Sequence, residues 1–191
     1  MQRKLIDHIR RYVEILRDDE EEVLGSFQFQ TFRKKENLVD QGTRCRFHYF
    51  VLQGCLRMFF IDGKGVEQTV QFAIEDWWIT DYAAFEQQAQ TEFTVQAMEE
   101  SAVMQIDRQR QEKLFSRFPQ LERYFRLIYQ RAYAASQLRT KYLYDFSREQ
   151  FYYHFRDHFP EFTRRIPQQI LASYLNMTPE YLSEIKKRSR S

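Results

Sequence analysis

The chain has 191 residues, a length that fits one large domain or two small ones. Hydrophobic residues make up 43% and aromatic residues 17%, which excludes a disordered chain because this much apolar surface offsets the entropy lost on folding. The net charge is +2, there are two cysteines, and no apolar run approaches the ~18 residues of a membrane span, so we expect a cytoplasmic protein without a disulfide scaffold or membrane contact.

The amino-terminal residues have the spacing of an amphipathic helix. Their apolar side chains recur at helical intervals and are Leu5, Ile9, Tyr12, Val13 and Leu16. We therefore expect a helix with one apolar stripe ahead of the next segment.

Residues 27–106 carry stretches typical of β-strands, rich in aromatic and branched side chains and separated by turn signals such as QG and DGKG. The stretches are FQFQTF, FHYFVLQ, CLRMFFI, VEQTVQFA and AVMQI. All five glycines precede residue 66 and all four prolines follow residue 118, so the architecture changes in between. We predict a β-sandwich or β-roll within a first domain of residues 1–118.

The pattern becomes helical after the β-like segment, and residues 119–144 are predicted to form one long helix. Its apolar stripe contains Leu121, Phe125, Ile128, Ala132, Ala135, Leu138 and Tyr142. Two interpretations compete: an amphipathic helix that lies on the sheet, or a dimerisation helix in which Ala132 and Ala135 allow close approach. We favour the dimer, because symmetric dimers are the usual way for small regulators to reach two DNA half-sites.

Residues 145–191 are predicted to hold a helix-turn-helix. Within LASYLNMTPEYLSEIKKR the inner positions are apolar or small, namely Leu171, Ala172, Leu175, Met177, Leu182 and Ile185. Asn176 suits the left-handed backbone that such a turn requires. Thr178 is a helix cap and Pro179 suits the first helical position, where a missing amide costs nothing.

The outer face of this segment is predicted to bind double-stranded DNA. From residue 163 to 191 there are six basic residues, Arg190 among them, against two acidic ones, so this end carries +4 and the rest of the chain −2. The candidate DNA-binding residues are Gln168, Gln169, Thr178, Glu180, Ser183, Glu184, Lys186, Lys187, Arg188, Arg164 and Arg165. The alternative is a helical hairpin used only for packing.

In its order of elements the chain resembles the Crp/Fnr family of bacterial transcription regulators. The motifs that carry the resemblance are RIPQQILASYLNMTPEYLSEIKKR and, more weakly, DQGTRCRFHYFVLQGCLRMFFIDGKG. The resemblance implies an α+β fold: a jelly-roll domain like those that bind cyclic nucleotides, a dimerisation helix, and a winged-helix-like domain. It also implies a homodimer on a near-palindromic operator, with RNA polymerase as a further partner.

The chain departs from this family where relatives bind a cyclic nucleotide. Family members use a Gly and a Glu in a cassette like GDFFGE and a later Arg-Ser pair; here Ile79 and Thr80 replace the first pair and Thr91 and Glu92 the second. A phosphate facing a carboxylate is disfavoured, so we expect no binding of cyclic AMP. Two roles compete for a group of aromatic residues: they line a pocket for another ligand, or they belong to the protein core. These residues are Trp77, Trp78, Tyr82, Phe85 and Phe93.

Smaller departures complete the prediction. Glu184 stands where relatives often carry Arg, so the operator should differ, and no wing is evident after the second helix. His154 and His158 have a spacing that can hold zinc, but no third ligand is evident, and neither a metal nor a cofactor is expected. We find no motif of an enzyme. The alternative function is a small-molecule sensor or protein-interaction module whose helix-turn-helix does not read DNA.

Overall fold

A computed structural model describes residues 1–188, and the predicted charge at Arg190 lies outside them. The chain divides into two compact units. The first contains Met1–Met58 and Phe72–Arg131, and the second contains Phe59–Gln71 and the described residues from Ala132 onward. The α+β fold class predicted from the sequence is confirmed.

The amino-terminal segment is shorter as a helix than its apolar stripe suggested. Helix α1 spans Arg3–Arg10, and a single 3-10 turn and α2 (Glu20–Gly25) follow it. Leu16 was expected on the helical stripe, but its backbone is extended and its side chain is 61% exposed. The guanidinium of Arg10 donates to the carbonyl oxygen of Ile15, so the chain folds back on the end of the helix.

Two four-stranded sheets form the predicted β-roll, in the orders β1-β8-β3-β6 and β2-β7-β4-β5. The strands are β1 (Gln28–Phe32), β2 (Asn37–Val39), β3 (Phe47–Gln53), β4 (Leu56–Ile61), β5 (Glu67–Ala73), β6 (Trp78–Ile79), β7 (Thr94–Ala97) and β8 (Ser101–Asp107). The five predicted stretches correspond to β1, β3, β4, β5 and β8. The other three strands have two to four residues, too few for a periodic pattern to stand out.

Strand β3 is buried on both faces. Its antiparallel register with β8 sets Phe50 opposite Met104, and both side chains belong to the main apolar core with Leu52 and Ile106. Tyr49 points to the other face, where its hydroxyl donates to the carbonyl oxygen of Leu38. The alternation along the strand therefore separates the interior of the roll from the face covered by helices.

Helices cover that outer face of the first sheet. After the short α3 (Tyr82–Gln87), α4 (Arg108–Arg117) and α5 (Gln120–Asp145) follow β8. The main core combines sheet residues with side chains from these helices and from α1: Leu5, Ile6, Ile9, Leu114, Phe118, Leu121, Tyr124, Phe125 and Ile128. The start of α5 is therefore part of the first unit.

The second unit contains a cluster of helices. They are the rest of α5, α6 (Arg148–His158), α7 (Pro160–Arg165), α8 (Gln168–Tyr174) and α9 (Pro179–Arg188). Ser147 and Gln150 form a reciprocal capping box at the start of α6. Among residues 1–188, no helix combines the length and the apolar character needed to cross a membrane.

Candidate functional site

Helices α8 and α9 form the predicted helix-turn-helix geometry. Asn176 in the turn has a φ of 55°, the left-handed conformation expected there. The hydroxyl of Thr178 accepts a hydrogen bond from the N–H of Tyr181 at 3.2 Å, and Pro179 is the first residue of α9. These three local predictions are confirmed.

The inner face of the motif is closed. All six predicted inner positions are buried, from Leu171 and Ala172 in α8 to Leu182 and Ile185 in α9. Gln168, predicted as a DNA contact, also joins the two helices: its amide nitrogen donates to the carbonyl oxygen of Pro179 at 3.1 Å. Lys186 donates to the amide oxygen of Gln168 at 3.5 Å.

The outer face of α9 is open to solvent. Glu180, Glu184, Lys187 and Arg188 are exposed, and Ser183 is half-buried beside them. Outside α9, Arg164, Gln169 and Thr178 are exposed, and Arg165 is half-buried. The surface ion pair of Arg188 with Glu184, at 4.0 Å, contributes little to stability. The DNA-binding roles of these residues stay predictions.

The long helix α5 divides into two parts. Leu121, Phe125 and Ile128, predicted on a dimer face, are buried in the core of the first unit, so this part of the stripe packs within the protomer. Farther along, Ala132 is half-buried, whereas Ala135 and Leu138 are exposed. The packing interpretation therefore holds for the start of α5, and the dimer interpretation stays a prediction for its exposed part.

We call residues 79–81 and 91–92 the effector cradle, because the resemblance places the nucleotide contacts of the family there. This cradle contains a carboxylate of the chain itself. Asp81 caps α3, and one of its oxygens accepts from the N–H of Ala84 at 3.2 Å. The other accepts from the hydroxyl of Thr91 at 2.9 Å and from the N–H of Glu92 at 3.4 Å. Sequence reasoning missed this role, although an Asp immediately before a helix is a capping signal.

The replaced residues Ile79 and Thr80 are also committed to the fold. Ile79 is fully buried, and Thr80, 1% exposed, donates to the carbonyl oxygen of Phe47 at 2.9 Å. The hydroxyl of Thr91 and the N–H of Glu92, at the positions where the resemblance places an Arg-Ser pair, are thus used by Asp81. The side chain of Glu92 is exposed next to them. An incoming phosphate would have to displace one carboxylate and approach a second.

The aromatic residues predicted as a ligand pocket have different environments. Trp77 is 41% exposed and Phe93 is half-buried, whereas Trp78 is buried in the main core. Trp78 and Tyr82 both lie against the ring of His48, with ring centroids 4.4 and 5.4 Å from it. Burial raises the pKa of Tyr82 and lowers the pKa of His48 to about 3. The burial of Trp78 favours a core role for it.

Trp78 also takes part in a buried hydrogen-bond chain that the sequence did not reveal. Its indole N–H donates to the hydroxyl oxygen of Tyr124 at 2.7 Å, and that hydroxyl lies 2.8 Å from Nδ1 of His8. Because an indole only donates, Tyr124 donates its single proton to His8, whose proton is then on Nε2. Burial lowers the pKa of His8 to about 4, which is consistent with the neutral ring.

His154 and His158 lie on one face of α6 with ring centroids 4.1 Å apart. His154 packs on Tyr142, and Nδ1 of His158 lies 2.8 Å from the carbonyl oxygen of His154. No group of three metal-ligating side chains occurs among residues 1–188.

Comparison with known proteins agrees with this architecture. Residues 29–118 match the family of the cyclic nucleotide-binding domain, a match that ends before α8. No curated protein matches the sequence.

Solved structures with the same fold extend into the helical part of the chain. FixK2 from Bradyrhizobium japonicum has a TM-score of 0.71 at 15% identity, with 85% of this chain and 83% of that chain covered. CLP of Xanthomonas campestris, a c-di-GMP-responsive global regulator, has a TM-score of 0.73 at 14% identity over 91% of both chains. A CooA mutant from Carboxydothermus hydrogenoformans has a TM-score of 0.69 at 14% identity, with 94% of this chain and 86% of that chain covered.

The class defined by this fold is a β-roll of the cyclic nucleotide-binding type followed by a long helix and a helix-turn-helix. The predicted resemblance to Crp/Fnr-type regulators is confirmed at the level of the fold.

Proposed function

We propose that the chain is a cytoplasmic, homodimeric transcription regulator of the Crp/Fnr type that binds a near-palindromic operator. The observation that carries the proposal is the α8–α9 pair, whose inner face is buried while the outer face of α9 is open. RNA polymerase is the expected second partner, recruited or blocked at the bound promoter.

The residues of α9 would divide the work by their chemistry. Glu180 and Ser183 would contact base edges in the major groove, where a carboxylate accepts from cytosine N4 and a hydroxyl bonds several bases. Lys187 and Arg188 would pair with phosphates and fix the position of the helix without selecting a sequence. Glu184 on the same face would add an acceptor where relatives often present Arg.

The exposed part of α5 supports a second copy as partner. Ala135 and Leu138 present small and apolar surface on a helix that leads toward the helix-turn-helix. Two copies paired there would hold two α9 helices for half-sites roughly 34 Å apart. An event in the β-roll that shifts this pairing would set whether both helices reach the DNA.

The effector would not be cyclic AMP. Asp81 uses the N–H of Ala84 and the hydroxyl of Thr91, so the cradle offers a phosphate a carboxylate in place of a cation. We expect calorimetry with millimolar cyclic AMP to give no saturable heat. Binding at micromolar affinity would contradict this part of the proposal without touching the DNA-binding part.

Selection from a pool of random double-stranded DNA tests the central claim. A regulator enriches a two-fold symmetric site, and its affinity falls steeply with added salt because phosphate contacts release counterions. No enrichment at low salt would instead support a sensor or interaction module whose helix-turn-helix does not read DNA.

Single substitutions test the assigned roles on the selected site. Lys187→Ala and Arg188→Ala should weaken binding to all sequences and lower the salt slope by about 1, whereas Glu180→Ala and Ser183→Ala should change the preferred sequence. Lys34→Ala, an exposed lysine in the first unit, is the matched control. If the four variants act alike, the division of roles is wrong.

A further inference from the structure

The first helix of the helix-turn-helix is hydrogen-bonded to the edge of a β-sheet. Within the second unit, Ser173 of α8 donates its hydroxyl proton to the carbonyl oxygen of Glu67 at 2.8 Å. The hydroxyl oxygen of Ser173 in turn accepts from the N–H of Thr69 at 2.9 Å. Both partners belong to β5, the last strand in its sheet, so they are groups of an edge strand.

The Ser173 hydroxyl bonds the edge strand as the backbone of a neighbouring strand would. A residue of a parallel neighbour would accept from one N–H and donate to the carbonyl two residues earlier, as Ser173 does at Thr69 and Glu67. A hydroxyl can do both because it is donor and acceptor at once. Serine in a helix often bonds the carbonyl four residues back, but this one is used 104 residues away in sequence.

Arg139 of α5 completes the junction. Its guanidinium donates to the carbonyl oxygen of Thr69 at 3.3 Å and to that of Tyr174 at 3.1 Å. Tyr174 ends α8, where carbonyls lack partners inside the helix and a cation is favourable. The guanidinium also lies 4.7 Å from the centre of the Tyr174 ring. One side chain thus joins β5, α5 and α8.

We propose that Ser173 and Arg139 are positioning residues that hold the helix-turn-helix ready to bind DNA. This inference rests on the proposed function. Helix α8 has seven residues, too few to be stable alone, so tertiary contacts set its position. The junction leaves Glu180, Glu184 and Lys187 exposed, so it orders the motif without covering its outer face. Losing the junction adds an ordering cost to DNA binding.

Three serine variants test the proposal with two measurements, amide exchange at Thr69 and affinity for the selected site. Ser173→Ala should speed exchange at Thr69 by about tenfold and weaken DNA binding by roughly three- to tenfold, the effect of one lost hydrogen bond. Ser173→Thr keeps the hydroxyl and should restore both values. Ser136→Ala, an exposed serine of α5, should change neither.

Every outcome decides between roles. Faster exchange with unchanged affinity would make the junction structural only, and tighter DNA binding would make it inhibitory; either result overturns the proposal. Should Ser173→Ala not fold, the DNA affinity of Arg139→Lys is measured, with weaker binding expected because lysine lacks the planar guanidinium that lies over the Tyr174 ring. If the unmodified protein binds no DNA, the proposed function fails, and exchange at Thr69 still reports whether the junction exists.

Discussion

Two buried histidines show how single residues make this protein sensitive to acid. His48 is enclosed by aromatic rings on the helix-covered face of the first sheet, and His8 accepts a hydrogen bond from Tyr124. Burial lowers the pKa of His48 from 6.5 to about 3 and that of His8 to about 4. The folded chain therefore keeps both rings neutral at pH values where the unfolded chain protonates them.

This difference predicts that the free energy of unfolding falls as the pH falls below 6.5. Each histidine costs about 1.4 kcal/mol per pH unit until its folded pKa is reached, because only the unfolded state takes up the proton. In His48→Phe the loss between pH 7 and about pH 5 should be smaller by roughly 2 kcal/mol, measured by urea unfolding. A pH dependence in His48→Phe equal to that of the unmodified protein would contradict this assignment.

The hydroxyl of Tyr124 is predicted to stabilise the contact between α1, α5 and β6. Tyr124→Phe removes the partner of Trp78 and of His8 in one step and leaves both buried without their hydrogen bonds. The free energy of unfolding should fall by about 1–3 kcal/mol. The control is Tyr133→Phe, which changes an exposed tyrosine on the same helix. An equal effect in both variants would contradict a specific role for the buried hydrogen bonds of Tyr124.

At the scale of elements, the sequence predictions were most accurate where a feature depends on residues close together in the chain. The turn at Asn176 and the cap at Thr178 depend on residues within three positions, and both were correct. Strands β3 and β8 were found because their apolar runs are long. The first helix is shorter than its apolar stripe indicated: α1 ends at Arg10, and Leu16 at the end of the stripe is extended and exposed.

The left-handed turn of the helix-turn-helix gives a prediction with an internal control. Asn176→Ala should destabilise the protein by about 1 kcal/mol, because a Cβ without a local polar group disfavours a positive φ. Asn176→Gly should be neutral or slightly stabilising, since glycine accepts this conformation freely. Thermal unfolding of the pair would test this, and equal midpoints for both variants would show that the turn is not strained.

At the scale of the whole molecule, the exposed part of α5 is predicted to hold two copies together. Leu138→Asp places a charge on this face and should shift the protein from dimer toward monomer in analytical ultracentrifugation. The exposed Thr140→Asp, on another side of the helix, should not. A dimer that persists equally in both variants would place the interface elsewhere.

The sequence by itself determined the class of the fold, the long helix and the helix-turn-helix with its inner and outer faces. These features depend on hydrophobic period and on turn and cap chemistry, which act over a few residues. Only the tertiary structure decided which part of the α5 stripe lies in the core. It also decided that the carboxylate of Asp81 accepts the hydrogen bond of Thr91 in the effector cradle. It also decided that Ser173 pairs with β5. Such contacts join groups that are distant along the chain, or lie in loops that have no hydrophobic periodicity. No local sequence pattern therefore predicts them.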